Sequence, residues 1–138
     1  MIYNHNEYLN FELPDNWCSE ENEDSLTIYD SEKDEGAITM SFYNIMMPRE
    51  SLVSKICDMA KKFIDSSEVK LHESLILNQK KDGSCVLSGT GDDSEGWFVK
   101  LWIVAKYPKI VVATYYNKTK NGEIDICDSI IDSMSFDL

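Results

Sequence analysis

The stretch Phe11-Glu12-Leu13-Pro14-Asp15-Asn16-Trp17 decides the fold of this chain. Residues 8–13 alternate between apolar and polar side chains, which predicts a half-buried strand. The Pro-Asp-Asn that follows favours a turn, and Trp17 closes it with a large aromatic side chain. At the other end, residues 124–136 carry apolar side chains at helical spacing and predict an amphipathic helix. These two ends indicate a compact α+β domain.

Between the two ends, the pattern alternates between strand and helix. Leu26 and Ile28 predict a second strand, and residues 38–42 alternate as a third before Pro48 interrupts the chain. Apolar residues at spacings of three and four then predict a helix over residues 50–65.

Four further strands follow this helix. Residues 71–77 and 85–90 predict a hairpin, because Asp82-Gly83 suits a type I′ turn. Residues 97–106 and 110–116 predict a second hairpin, in which Pro108 suits the connecting turn.

The last two strands are apolar on both faces, which is typical of central strands that are covered on both sides. The helices at residues 50–65 and 123–134 can supply one cover each. The predicted order is βββαββββα. It describes one antiparallel sheet between helices, an α/β/α sandwich of the α+β class, in a single domain over residues 1–138.

The net charge of −12 excludes two classes of partner. Such a chain repels nucleic-acid phosphates and anionic membranes, and it attracts basic proteins. The acidity lies at the two ends of the chain: residues 1–50 hold twelve acidic residues against two basic ones. Residues 51–120, in contrast, hold eight acidic against eleven basic residues.

Targeting features and cysteine spacing indicate a cytoplasmic protein. The first 25 residues lack the apolar core of a secretory signal, and lysines and Pro108 interrupt the most apolar stretch, residues 97–116. The four cysteines are widely spaced and lack a C-x-x-C pair, which favours free buried thiols over a zinc site.

Arg49 is the only arginine against twelve lysines, a bias typical of an AT-rich bacterial genome.

No catalytic constellation is apparent in the sequence. His5 lies near the chain start, in a segment expected to fray, and His72 stands alone in a predicted strand. Sequence signatures of hydrolases, zinc proteases and nucleotide-binding loops are missing. Residues 30–36 resemble a calcium loop, but Glu35 and Ser41 occupy the positions that require glycine and glutamate, which favours a turn. We therefore expect no enzyme activity, cofactor or metal.

The chain resembles the PsbP-like superfamily, which includes the photosystem II subunit PsbP, the Ran-binding factor Mog and the lipoprotein DcrB. The resemblance rests on residues 11–17, on the closing Ile130-Ile131-Asp132-Ser133-Met134-Ser135-Phe136, and on the order of elements between them. It implies a central antiparallel sheet between helices. It also implies non-enzymatic work, in which members bind other proteins, form part of assemblies or act as adaptors.

An acidic front in the first third of the chain is the main candidate partner-binding site. Charged loops can also serve only to keep a sheet edge soluble, so both interpretations stay open. The candidate residues are Glu20, Glu21, Glu23, Asp24, Asp30, Glu32, Asp34 and Glu35.

A second candidate is an aromatic groove formed by Phe98, Trp102 and Tyr115. The alternative is that these three side chains form core beneath a helix.

Two function classes follow. The first is a protein-binding module, such as an immunity protein or adaptor paired with a bacterial toxin or secreted effector. The second is a small-ligand or lipid-binding domain that uses the space between sheet and helix.

Overall fold

A computed structural model describes residues 1–6, 8–33, 36–120 and 122–136. Within them the chain forms two α-helices and a series of antiparallel strands. The helices are α1 (Leu52–Ser66), preceded by a 3-10 turn (Arg49–Ser51), and α2 (Glu123–Asp132). The strands are β1 (Ile2–His5), β2 (Leu9–Glu12), β3 (Trp17–Glu21), β4 (Ser25–Asp30), β5 (Ala37–Asn44), β6 (Lys70–Leu71), β7 (Ile76–Gln79), β8 (Cys85–Asp92), β9 (Phe98–Lys106), β10 (Lys109–Asn117) and β11 (Ser135–Phe136).

The strands form one large sheet and one small sheet. The large sheet has the order β3-β4-β5-β10-β9-β8-β6, and β7 also pairs with β8. The small sheet has the order β1-β2-β11. Every pairing is antiparallel, which confirms the predicted α+β architecture with a central antiparallel sheet.

One face of the large sheet, here called the closed face, is covered by α2 and the small sheet. Its buried side chains come from strands β3 to β5 and β8 to β10 and interlock with Leu9 and Phe11 of β2. The apolar side chains of α2 that pack on this face are Ile124, Cys127, Ile130 and Ile131. The burial of these apolar side chains is the main stabilising contribution to the fold.

The opposite face, here called the half-open face, has a smaller cover. Helix α1 lies over β8, β9 and the start of β10, where Ile56 and Ala60 pack on Leu101 and Ile103. The same face of β4 and β5 lies beyond α1 and carries serine, threonine and tyrosine side chains instead. The expectation that each helix covers one face is confirmed, although α1 covers only part of its face.

A polar contact between sheet and helix fixes α2 on the closed face. Lys100 Nζ donates to Asp128 Oδ1 at 2.8 Å, and the indole nitrogen of Trp102 donates to the same oxygen at 3.0 Å. Asp128 thus satisfies the ring nitrogen of Trp102, a buried donor that would otherwise lose its hydrogen bond to water.

Three short strands were not predicted: β1, β3 and β11. The closing helix ends at Asp132, and residues 135–136 pair with β2 instead of continuing it. His5 belongs to β1, so the expectation of a frayed start was wrong.

The hairpin after α1 also differs from its prediction. The strand predicted over residues 71–77 is divided into β6 and β7. A five-residue loop replaces the predicted two-residue type I′ turn: the Gly83 amide donates to the Lys80 carbonyl at 3.2 Å, and Gly83 has a φ of 91°.

In the described part of the chain, no helix has the length and apolar character needed to cross a membrane.

Candidate functional site

The acidic front lies along one edge of the large sheet. Glu20 and Glu21 are in the edge strand β3, and Glu23 and Asp24 are in the turn that leads to β4. These four residues and Glu32, which follows β4, are all exposed. The structure therefore brings five of the predicted residues to the β3–β4 hairpin.

Of the three remaining candidates, Asp30 does not join this set. Asp30 is buried, because the alternation of β4 turns it to the same face as Leu26 and Ile28. Its carboxylate accepts a hydrogen bond from the Glu32 amide at 2.9 Å, so Asp30 stabilises the local turn and its inclusion in the acidic front was wrong. Asp34 and Glu35 lie outside the described residues.

The hairpin borders a cleft of about 530 Å³, here called the acidic cleft. It forms because Ser25, the first residue of β4, pairs with Ser41, so that the last residues of β5 run beyond β4. Phe42 and Tyr43 line the cleft at this point. The carboxylate side chains in the lining are Glu21, Glu23 and Asp24.

Glu21 is held in place by two side chains of β1. Tyr3 donates its hydroxyl hydrogen to Glu21 Oε1 at 2.6 Å, and His5 Nδ1 lies 3.6 Å from the same oxygen. Burial, followed by the hydrogen bond to the Glu21 carboxylate, raises the pKa of Tyr3 to about 12. The His5 ring stacks on Phe42 with centroids 4.2 Å apart. Glu21 thus joins the small sheet to the edge of the large one.

Glu23 and Asp24 have a different environment from Glu21. They form no ion pair with another described residue, and both side chains are exposed at the cleft rim. Glu20 accepts an exposed hydrogen bond from the Tyr29 hydroxyl at 3.1 Å and forms no ion pair with another described residue. These three carboxylates are therefore available to meet a positively charged group from outside.

A second cleft of about 350 Å³, here called the helix groove, lies on the half-open face beside α1. Its floor is Thr39, Ser41 and Tyr43 of β5 together with Val112 and Thr114 of β10. Its wall consists of the α1 side chains Met59, Lys62 and Phe63. A binding space between sheet and helix was one of the two expectations from the sequence, but the residues that line it were not predicted. The available signal was β5, where Thr39, Ser41 and Tyr43 alternate with the buried Ile38 and Met40.

The predicted aromatic groove is absent because its residues are buried. Phe98, Trp102 and Tyr115 are 3%, 2% and 0% exposed. They lie in the core of the closed face, where α2 covers them. The alternative interpretation, core beneath a helix, therefore describes these three residues.

A chain of polar contacts links His72 to strand β8. His72 Nδ1 lies 3.1 Å from Thr90 Oγ1, and Nε2 lies 3.1 Å from Asp92 Oδ2. The sequence of contacts has the form of a nucleophile, base and orienting carboxylate. However, the side chains of His72 and Asp92 are 41% and 53% exposed, so water competes for both contacts. We interpret these contacts as structural, because they hold the segment after β6 against β8.

Within the described residues, histidine, cysteine and acidic side chains form no group with metal-binding geometry.

Comparison with known proteins places the fold. No protein family profile matches the chain, and no curated protein matches its sequence. Among solved structures, it is similar to cyanobacterial PsbP (CyanoP) from Synechocystis sp. PCC 6803, with a TM-score of 0.73 and 11% identity over 99% of this chain and 91% of that one.

Two further structures share the fold at lower similarity. A protein from Bacteroides thetaiotaomicron VPI-5482 matches with a TM-score of 0.55 and 14% identity over 94% of this chain, which spans 45% of that protein. A point mutant of the protein Mog1 matches with a TM-score of 0.53 and 8% identity, over 94% of this chain and 91% of that one. The chain therefore has the PsbP-like fold that its sequence predicted.

Proposed function

We propose that this chain is a non-enzymatic protein-binding module that docks a basic partner on its β3–β4 edge. The observation that carries the proposal is the acidic cleft, whose lining combines the exposed carboxylates of Glu23 and Asp24 with the aromatic residues Phe42 and Tyr43. A lysine or arginine side chain suits such a site, since its charge meets carboxylates while its stem packs on aromatic rings.

The charge distribution supports a role for this edge in the encounter itself. Ten net negative charges fall within residues 1–50 of the chain. Charge complementarity of this kind raises association rates by roughly 10- to 1,000-fold, and salt screens it over a Debye length of about 10 Å at 0.1 M. A protein that must capture a cationic partner quickly gains most from this arrangement.

The class of partner follows from the same charge. A net charge of −12 disfavours nucleic acid and anionic membranes as direct partners. An immunity protein or adaptor in the bacterial cytoplasm, paired with a cationic toxin or secreted effector, fits both the charge and the protein-binding work that the resemblance implies.

A charge-reversal experiment tests the proposal. The variant Glu20→Lys/Glu23→Lys/Asp24→Lys is compared with Glu50→Lys/Glu73→Lys/Glu95→Lys, which changes the net charge equally at exposed sites outside the hairpin. Glu21 is left intact, because it holds Tyr3 and His5. Tagged wild-type protein is used to isolate a partner from the source cell, and association rates with that purified partner are then measured by stopped flow.

We expect the hairpin variant to associate several-fold more slowly and with a flatter salt dependence, while the control stays close to wild type. Equal rates for the two variants at low ionic strength contradict the proposal and leave the acidic front as a solubility device.

The helix groove supports a second candidate function, binding of a small ligand or lipid between sheet and helix. Its volume of about 350 Å³ lies at the lower end of the usual range for small-molecule sites, roughly 300–1,000 Å³. Thermal unfolding in the presence of a panel of fatty acids and aromatic carboxylates tests this candidate, which requires a concentration-dependent rise in Tm.

A further inference from the structure

The acidic cleft and the helix groove share two of their lining residues. Ser41 and Tyr43 of β5 line both. They are two positions apart in one strand, so their side chains leave the same face of the sheet about 7 Å apart. The two clefts are therefore neighbouring parts of one surface and meet at Ser41 and Tyr43 of β5.

The chemistry changes along this surface in a fixed direction. The carboxylates of Glu23 and Asp24 lie at one end. Tyr43, 46% exposed, lies at the junction, and aromatic residues of this kind are frequent binding hot spots. Beyond it, the apolar side chains of Phe63 and Val112 form the groove beside Lys62. The surface thus runs from acidic through aromatic to apolar and basic.

We propose that the two clefts together bind one extended segment of a partner protein that carries a basic residue followed by an apolar one. The basic side chain enters the acidic cleft, and the apolar side chain, two to four residues away, packs in the helix groove. Lys62 then faces a carbonyl or carboxylate of the same segment. This inference rests on the proposed function and names the chemistry of the partner segment.

Charge complementarity at both ends favours this occupant over others. A fatty acid or other small anion fits Lys62 but leaves the carboxylates of Glu23 and Asp24 without a counter-charge. A second copy of the chain brings a further net charge of −12 to an acidic surface. A basic–apolar segment places a positive side chain against Glu23 and Asp24 and an apolar side chain in the helix groove, while its backbone carbonyls can accept a hydrogen bond from Lys62.

A peptide selection tests the inference without a known partner. Random 12-residue peptides displayed on phage are selected on the wild-type protein, and the enriched peptides are synthesised for affinity measurement by fluorescence anisotropy. Three variants are compared with wild type: Glu23→Lys/Asp24→Lys in the acidic cleft, Thr39→Trp to fill the helix groove, and Asn78→Trp as a matched control. Thr39 and Asn78 are both exposed strand residues, and Asn78 lines neither cleft.

We expect enriched peptides to contain lysine or arginine two to four residues from an apolar residue. Each of the two cleft variants is expected to weaken binding about tenfold or more, and Asn78→Trp to leave it unchanged. Salt dependence is expected to fall only in Glu23→Lys/Asp24→Lys, because this variant alone removes the charge attraction. Circular dichroism and denaturation midpoints confirm that each variant is folded.

The other outcomes separate this inference from the proposed function. If the charge variant abolishes binding and Thr39→Trp does not affect it, the acidic cleft acts alone, so the inference fails while the proposed function stands. If Thr39→Trp alone affects binding, or the enriched peptides lack basic residues, both fail. Absence of any enriched peptide, or displacement of the peptides by a fatty acid alone, also overturns the inference.

Discussion

The two faces of the large sheet are built from the same strands but differ in what covers them. The closed face is sealed by α2 and the small sheet, and its side chains from β3 to β5 and from β8 to β10 form one apolar cluster. The half-open face is sealed only where α1 lies, over β8 to β10. Its other half presents Thr39, Ser41 and Tyr43 to solvent or to a ligand.

The difference shows that the residue composition of a strand depends on whether one or both of its faces are covered. β9 is buried along most of its length, because it has a helix on each side. In β5, buried Ile38 and Met40 alternate with Thr39 and Ser41, because only one side is covered. The larger apolar cluster therefore lies on the closed face, and part of the proposed binding surface lies on the uncovered half of the other face.

The largest difference in the free energy of unfolding is expected between Ile130→Ala and Thr39→Ala. Ile130 is 1% exposed on α2, so its truncation leaves a cavity and is expected to lower the free energy of unfolding by about 2–5 kcal/mol. Thr39 is exposed on the half-open face, and its truncation is expected to change that free energy by no more than about 0.5 kcal/mol. Urea denaturation midpoints measure both, and similar losses for the two variants contradict the comparison.

A smaller loss of free energy of unfolding is expected from Asp128→Ala. This change leaves the indole nitrogen of Trp102, a residue 2% exposed, without its acceptor, at a cost of about 1–3 kcal/mol. The lost ion pair with Lys100 adds little, because the Asp128 side chain is 39% exposed and solvent screens the pair. The control is Asp132→Ala, which removes an exposed acidic side chain from the same helix. If both variants lose the same free energy of unfolding, the loss comes from the changed charge of the helix and not from the Trp102 hydrogen bond.

Tyr43→Ala is expected to separate stability from binding. The side chain is 46% exposed, and the backbone oxygen that accepts a hydrogen bond from Tyr8 is retained. We expect a change in the free energy of unfolding of less than about 1 kcal/mol. In contrast, affinity for the selected peptides is expected to fall about tenfold, since truncated aromatic hot spots cost this much or more. A large loss of stability with unchanged affinity makes Tyr43 a structural residue.

The smallest effect on stability is expected from alkylating Cys18. This thiol is exposed on β3, whereas Cys127 is fully buried on the closed face. Burial, together with the charges of Glu123 and Asp128, raises the pKa of Cys127 to about 12, so it is expected to stay unreactive at pH 8. Iodoacetamide labelling and peptide mapping should find Cys18 modified first, and the free energy of unfolding should change by no more than about 0.5 kcal/mol. Early modification of Cys127 indicates that α2 opens in the native state.

The parts of the fold that could be predicted from sequence are those with a strong local period. Helix α1 was predicted over residues 50–65 and is found at Leu52–Ser66, because its apolar stripe recurs at three and four residues. The hairpin of β9 and β10 was predicted nearly to its ends for a similar reason. In contrast, β3 was missed, because four of its five side chains are exposed and only its pairing with β4 defines it.

The candidate site shows the same limit. The sequence identified the carboxylates of the β3–β4 hairpin, because charge is visible without a fold. It placed Asp30 among them, since strand alternation decides exposure only once the covered face is known. It offered core residues as an aromatic groove, because an apolar strand face has the same composition whether or not a helix covers it.

Local chemistry in the sequence by itself determined the α+β class, the two helices, the main strands and the acidic character of the first fifty residues. The tertiary structure alone decided where the uncovered surface lies. That surface exists because α1 is too narrow to cover the whole sheet, and because β5 extends past β4 at Ser41. Such features depend on contacts between residues far apart in the chain, so no local pattern could encode their geometry.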